Sequence, residues 1–102
     1  MSDKIYTIDE IKAIAAPIAR SYGVAAMYLF GSYARGEATE KSDLDFRIEK
    51  GQLRSLFQLN GMQLALEEHF KKPLDLLTTQ MLTPQFLNNI RLEEVLIFAQ
   101  SR

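Results

Sequence analysis

Val24-Ala25-Ala26-Met27-Tyr28-Leu29-Phe30-Gly31-Ser32, followed after ten residues by Asp43-Leu44-Asp45-Phe46-Arg47-Ile48-Glu49, is the stretch that decides the fold. Val24 to Phe30 is a continuous apolar run with β-branched and aromatic members, short enough to be a buried strand. It runs directly into Gly31-Ser32, where a short helix is predicted from Tyr33, broken at Gly36 and followed by a polar loop to Ser42. From Asp43 the pattern changes to period two. Leu44, Phe46 and Ile48 alternate with Asp43, Asp45, Arg47 and Glu49, which reads as a half-buried strand with one charged face. Gly51 ends it.

Outward from this stretch, the elements alternate. Thr7-Ile8-Asp9-Glu10 has the form of a capping box, so a helix is predicted to start there. Ile8, Ile11, Ile14, Ala15 and Ile18 recur at helical spacing, and Gly23 supplies a stop. Leu53, Leu56, Phe57, Leu64 and Phe70 mark a second long helix with a weak point at Asn60-Gly61. Pro73 opens a strand over Leu74-Asp75-Leu76-Leu77. Thr83 before Pro84 is an N-cap with proline at the first helical position, which predicts a third main helix over Gln85–Ile90. Val95 to Ala99 is a last apolar run, an edge or paired strand. This order predicts an α/β (α+β) fold: one mixed sheet of about four strands flanked by helices.

Composition bounds the function. At 102 residues, with 47% hydrophobic and 25% charged side chains, the chain is expected to form one globular domain over 1–102, with its motif core over 24–78. There is no cysteine, which excludes disulfides, thiolate metal sites and a cysteine nucleophile. A net charge of −1 argues against non-specific binding to a nucleic-acid backbone. No apolar leader or membrane-length window occurs, so a cytoplasmic location without membrane contact is expected.

Three features bear chemistry. At Gly31-Ser32 a strand gives way to backbone amides without partners; glycine lets the chain approach a phosphate closely and serine adds a donor. The same dipeptide is also an ordinary turn with Ser32 as N-cap. Asp43 and Asp45, two apart on a strand, project from one face and can grip the same metal ion, or can be a solvated strand edge. Asp75 lies in an otherwise apolar strand, where an unpaired buried carboxylate costs several kcal/mol. Metal coordination beside Asp43 and Asp45 would supply its partner; so would solvent, Arg47 or Lys72. Arg35, on the helical face of Ser32, can reach a phosphate or the acids, or pair with Glu37 or Glu40. Glycine, serine and two aspartates at fixed offsets arise by chance in so short a chain roughly once in a thousand.

Gly31-Ser32-Tyr33-Ala34-Arg35-Gly36, the ten-residue spacing and Asp43-Leu44-Asp45 together resemble the signature of the polymerase β nucleotidyltransferase superfamily. The resemblance is strongest to the minimal nucleotidyltransferase (MNT) antitoxins that pair with HEPN toxins, and runs from Val24 through Asp75 to Val95–Phe98. It implies a small palm, with Gly31, Ser32 and Arg35 holding the triphosphate of ATP. Asp43 and Asp45 would bind two Mg²⁺ ions, and Asp75 would be the third carboxylate, acting as base or metal ligand, with all three catalytic. It also implies AMP transfer (AMPylation) to a hydroxyl, a tyrosine of a cognate HEPN toxin. Two readings stand beside this: a non-catalytic antitoxin that neutralises a partner by contact, and a small-molecule nucleotidyltransferase, whose relatives carry a further helical domain that this length cannot hold. Two positions depart from the pattern. Glu40 stands where many relatives carry Pro, and Arg47 stands where they carry apolar residues. Arg47, on the face of the aspartates, is expected to neutralise them in part.

His69 is expected near a helix C-terminus, favouring the dipole. Phe57, Phe70, Phe86 and Phe98 are expected in the core. Lys71-Lys72 is too short for a nucleic-acid patch.

Overall fold

The computed structural model describes residues 4–101; the expected domain bounds at 1–3 and at 102 lie outside the described residues. Helix α1 spans Ile8–Tyr22. Its start is set by a reciprocal cap: the Glu10 amide donates to Thr7 Oγ1 (3.1 Å) and the Thr7 amide to Glu10 Oε1 (2.9 Å). Such a cap is worth about 1 kcal/mol. Gly23 ends the helix in the left-handed region at φ 75°, where a Cβ would be strained. Strands β1 (Ala26–Phe30) and β2 (Leu44–Glu49) pair antiparallel, helix α2 (Leu56–Phe70) crosses over, and β3 (Leu74–Thr78) pairs parallel with β2. A 3-10 turn at Thr79–Met81 precedes α3 (Pro84–Arg91) and β4 (Val95–Ala99). The sheet order is β3-β2-β1-β4, a mixed four-stranded sheet as the alternating elements predict.

One face of this sheet is the core. Met27, Leu29, Leu44, Phe46 and Ile48 are fully buried against Ile11, Ala15 and Ala19 of α1 and Met62, Leu66 and Phe70 of α2. Full burial of a large apolar side chain contributes about 1.5–3 kcal/mol, and this layer holds the helices on the sheet. By the period of two, Tyr28, Phe30, Asp45, Arg47 and Asp75 share the opposite face. There α3 touches the sheet through Phe86, whose ring meets Phe30 edge-on with centroids 6.0 Å apart.

Three expectations need correction. No helix forms after Gly31: residues 31–36 are a turn, closed by Arg35 N–H to Gly31 O (3.1 Å) and Glu37 N–H to Ser32 O (2.9 Å). Gly36, at φ 73°, stops the chain after that single turn. Phe57 and Phe86 are exposed, at 88% and 42%, while Phe70 and Phe98 are buried. The buried face of α2 is set by Leu59, Met62, Leu66 and Phe70. Phe57 lies two residues from Leu59, about 200° around the helix, and so points away from the sheet. Helix α2 also runs unbroken through Asn60-Gly61.

Candidate active site

Strand direction gathers the site. Because β1 is antiparallel to both β2 and β4, the C-terminal end of β1 meets the beginnings of β2 and β4, and β3 starts beside β2. Phe30 pairs with Asp45, and Asp45 with Asp75, in one row across three strands. Gly31 follows Phe30 directly, so the turn at Gly31-Ser32 rises over Asp45. This is a close approach. A Cβ on Gly31 would collide with Asp45 Oδ2, and Gly31 has φ 77°, so both space and backbone select glycine here.

Asp45 and Asp75 are brought together. Asp45 is half-buried, and its carboxyl is pushed from its ordinary value up to about 6. The causes, in order, are burial, the charge of Asp75, a hydrogen bond with Asp75 and the charge of Asp43; Arg35 acts weakly in the opposite sense. Asp43 stands exposed at the mouth, one residue before β2. Among the described residues, no three acid or histidine side chains stand together as a ready-made ion cage. Asp75 is exposed rather than buried within its strand, because the face it occupies carries no helix above it at that point. Its side chain therefore has access to solvent as well as to Asp45.

Arg35 makes the pair with Glu37 that its spacing allows, Nε to Oε1 at 2.9 Å, but not one with Glu40. Its second partner comes from far along the chain: Nη1 lies 3.1 Å from Glu93 Oε2. The same Glu93 oxygen accepts from the Gly31 amide at 2.7 Å. Arg47 does not neutralise the aspartates. It is only 3% exposed and lies beneath Glu94, with Nε to Oε2 at 2.6 Å and Nη2 to Oε1 at 2.9 Å. It also donates to Glu49 (2.5 Å) and Thr79 Oγ1 (2.7 Å) and stacks over the Tyr28 ring, 4.4 Å from its centroid. Nor does Lys72 serve Asp75: its ammonium is buried, donating to Tyr33 Oη at 3.0 Å and to Lys4 O at 3.3 Å. That contact fastens the turn after Gly31 to the start of β3.

Glu93 and Glu94 are the site residues that sequence reasoning missed. Their signal was two adjacent acids leading directly into the apolar run Val95–Ala99. His69 lies near the end of α2, as expected, with Nδ1 2.8 Å from Ala65 O.

A four-stranded mixed sheet with its two long helices on one face and the acids on the other is the palm of a nucleotidyltransferase. A solved structure described as a candidate minimal nucleotidyltransferase superposes with a TM-score of 0.76 at 27% identity, covering 88% of this chain and 95% of that one. The family model described as polymerase beta, nucleotidyltransferase, matches residues 12–102, and the chain belongs to that family. A candidate protein adenylyltransferase of Methanocaldococcus jannaschii is 40% identical over 88 residues, 86% of this chain and 95% of that protein. The protein adenylyltransferase MntA of Thermococcus cleftensis is 34% identical over 65 residues, 60% of this chain and 66% of its own. The fold is shared with the complex of a tri-AMPylated Shewanella oneidensis HEPN toxin with its MNT antitoxin, at a TM-score of 0.71 and 12% identity, covering 92% of this chain and 74% of that one. The chain is thus a nucleotidyltransferase of the MNT type. No helix among its described residues is long and apolar enough to cross a membrane.

Proposed function

We propose that this nucleotidyltransferase moves AMP from ATP to a protein hydroxyl, a tyrosine of a HEPN-type toxin, and silences that partner as its antitoxin. The observation that carries the reading is the half-buried Asp45, crowded by the exposed Asp75 beside it and by the Gly31 turn above it. It is supported by relatives named protein adenylyltransferase and by a fold shared with an MNT antitoxin in complex with an AMPylated toxin.

The donor set fits Mg²⁺. Asp43, Asp45 and Asp75 offer only hard carboxylate oxygens, and together they place more negative charge than Asp45 can bear ionised at its ordinary value. A divalent cation held by Asp43 and Asp45 would offset that charge and polarise the phosphoryl oxygens, leaving the Asp75 carboxylate free to accept a proton. The chain's own groups do the rest. The Gly31 amide, the Ser32 hydroxyl and the Arg35 guanidinium hold the triphosphate, presenting its α-phosphorus over the strand acids. Asp75, exposed to the acceptor side, takes the proton of the attacking hydroxyl. The acceptor oxygen bonds to the α-phosphorus as the bond from that phosphorus to the bridging oxygen breaks, and pyrophosphate departs with the electron pair.

Incubation of the protein with ATP, Mg²⁺ and its HEPN-type partner is expected to add the mass of AMP to the partner, and Asp43→Asn to abolish the addition. An unmodified partner would overturn catalysis. A contact-only antitoxin is favoured by one observation, the acid already seated on the Gly31 amide; it predicts that the Asp43→Ala, Asp45→Ala double variant still protects cells from the toxin.

A further inference from the structure

Glu93 holds two of the three groups that the proposed function gives to the triphosphate, the Gly31 amide and the Arg35 guanidinium. Its Oε2 accepts from the Gly31 amide at 2.7 Å, and its two oxygens stand 3.1 and 3.3 Å from Arg35 Nη1. The side chain is 25% exposed. The contact joins distant parts of the chain across two neighbouring strands, because Gly31 follows β1 and Glu93 belongs to the turn between α3 and β4, where its own amide is fixed to Ile90 O at 3.0 Å. A carboxylate and a phosphate make the same demand on a backbone N–H and a guanidinium: two anionic oxygens at hydrogen-bond distance. One pair of donors does not serve both, since two anions crowded onto them repel each other.

We infer that Glu93 is a tethered anion occupying the phosphate seat of the nucleotide-free protein, and that a nucleoside triphosphate binds by displacing it. The inference rests on the phosphate role proposed for Gly31 and Arg35. Glu93 then sets nucleotide affinity: the apparent dissociation constant is the intrinsic one divided by the fraction of molecules in which the carboxylate has swung out. Its position also confines competition to the phosphate end of the ligand. Inorganic tripolyphosphate meets the same obstacle as ATP, whereas adenosine, without phosphates, does not compete with Glu93.

The test uses the full chain and isothermal titration with Mg²⁺-ATP and with tripolyphosphate. Glu93→Gln keeps the shape and removes the charge. It is expected to bind both ligands tighter than the wild type, on the order of ten-fold, given the strength of charge-assisted contacts. A second readout needs no variant: in the wild type, the Glu93 side-chain carboxyl carbon and the Gly31 amide proton are expected to shift together in NMR spectra as ATP is added. If ATP binds the wild type but Glu93→Gln binds equally or more weakly and the Glu93 carbon stays put, Glu93 is not displaced and the inference fails while the phosphate seat stands. If neither protein binds ATP or tripolyphosphate, the seat itself is refuted, and the inference with it.

Discussion

Replacing Asp45 by asparagine is expected to stabilise the nucleotide-free protein at neutral pH while destroying its activity. In the folded chain the Asp45 carboxyl titrates near 6, raised chiefly by burial and then by Asp75, against an ordinary value of 3.8. A folded value above the unfolded one means that the native state holds the proton more tightly. Stability therefore falls as pH rises from about 4 to about 6, and the whole penalty is present at neutral pH. A shift of roughly two pH units corresponds to about 3 kcal/mol at 1.36 kcal/mol per unit. Since the carboxyl is only half-buried, solvent screening reduces this to about 1–2 kcal/mol. Asparagine preserves the shape and removes the charge. For a domain near 100 residues each kcal/mol moves Tm by about 4–8 °C, so the variant should melt measurably higher at pH 7. The assay is thermal unfolding followed by circular dichroism at pH 4, 5.5 and 7, without divalent cations. The two proteins should converge at pH 4 and separate as pH rises. Added Mg²⁺ should raise the wild-type Tm more than that of the variant, because a ligand stabilises only the state that binds it. A variant less stable at pH 7, or a gap independent of pH, would refute the account of a charge-crowded site.

Arg47→Met should lower stability by about 3–5 kcal/mol in urea denaturation, because it strands the 7%-exposed Glu94 without its cation. Adding Glu94→Leu should restore most of that loss. Gly31→Ala should cost about 1–2 kcal/mol for its left-handed backbone alone. It should also push the Asp45 carboxylate aside, so that ATP binding is lost in a titration while the far-ultraviolet circular dichroism spectrum is retained.

Much of the fold was legible because its determinants are local. Thr7 and Glu10 cap each other within one turn, Thr83 and Pro84 start α3, and the period of two in β2 sorts Leu44, Phe46 and Ile48 from Asp45 and Arg47. The phase of α2 was not local. Leu56, Phe57 and Leu64 are as apolar as Leu59, Met62 and Leu66, and only the sheet below decides which set is buried. In the site, Asp45 and Asp75 converge as their strand positions suggest, but Asp75 is exposed, since an apolar strand says nothing of whether a helix covers its second face. For Glu93 and Glu94 the sequence shows two acids before an apolar run, but not what they hold. Their partners, Gly31, Arg35 and Arg47, lie at least 47 residues away, and only the pairing of β4 with β1 brings them near.

The same pairing constrains how the molecule is made. Synthesis proceeds at roughly 5–20 residues per second, N-terminus first, so the β1–β2 hairpin and the crossover to β3 can assemble while β4 is still inside the ribosome. Until β4 emerges, one edge of β1 offers unpaired backbone groups to any neighbouring chain, and Arg47 lies on the sheet without the acid that grips its guanidinium edge. The partly made sheet is therefore the sticky species in the life of this protein. A chain truncated before Glu93, which lacks both β4 and the acids that precede it, should aggregate more readily than the full-length protein in a light-scattering assay.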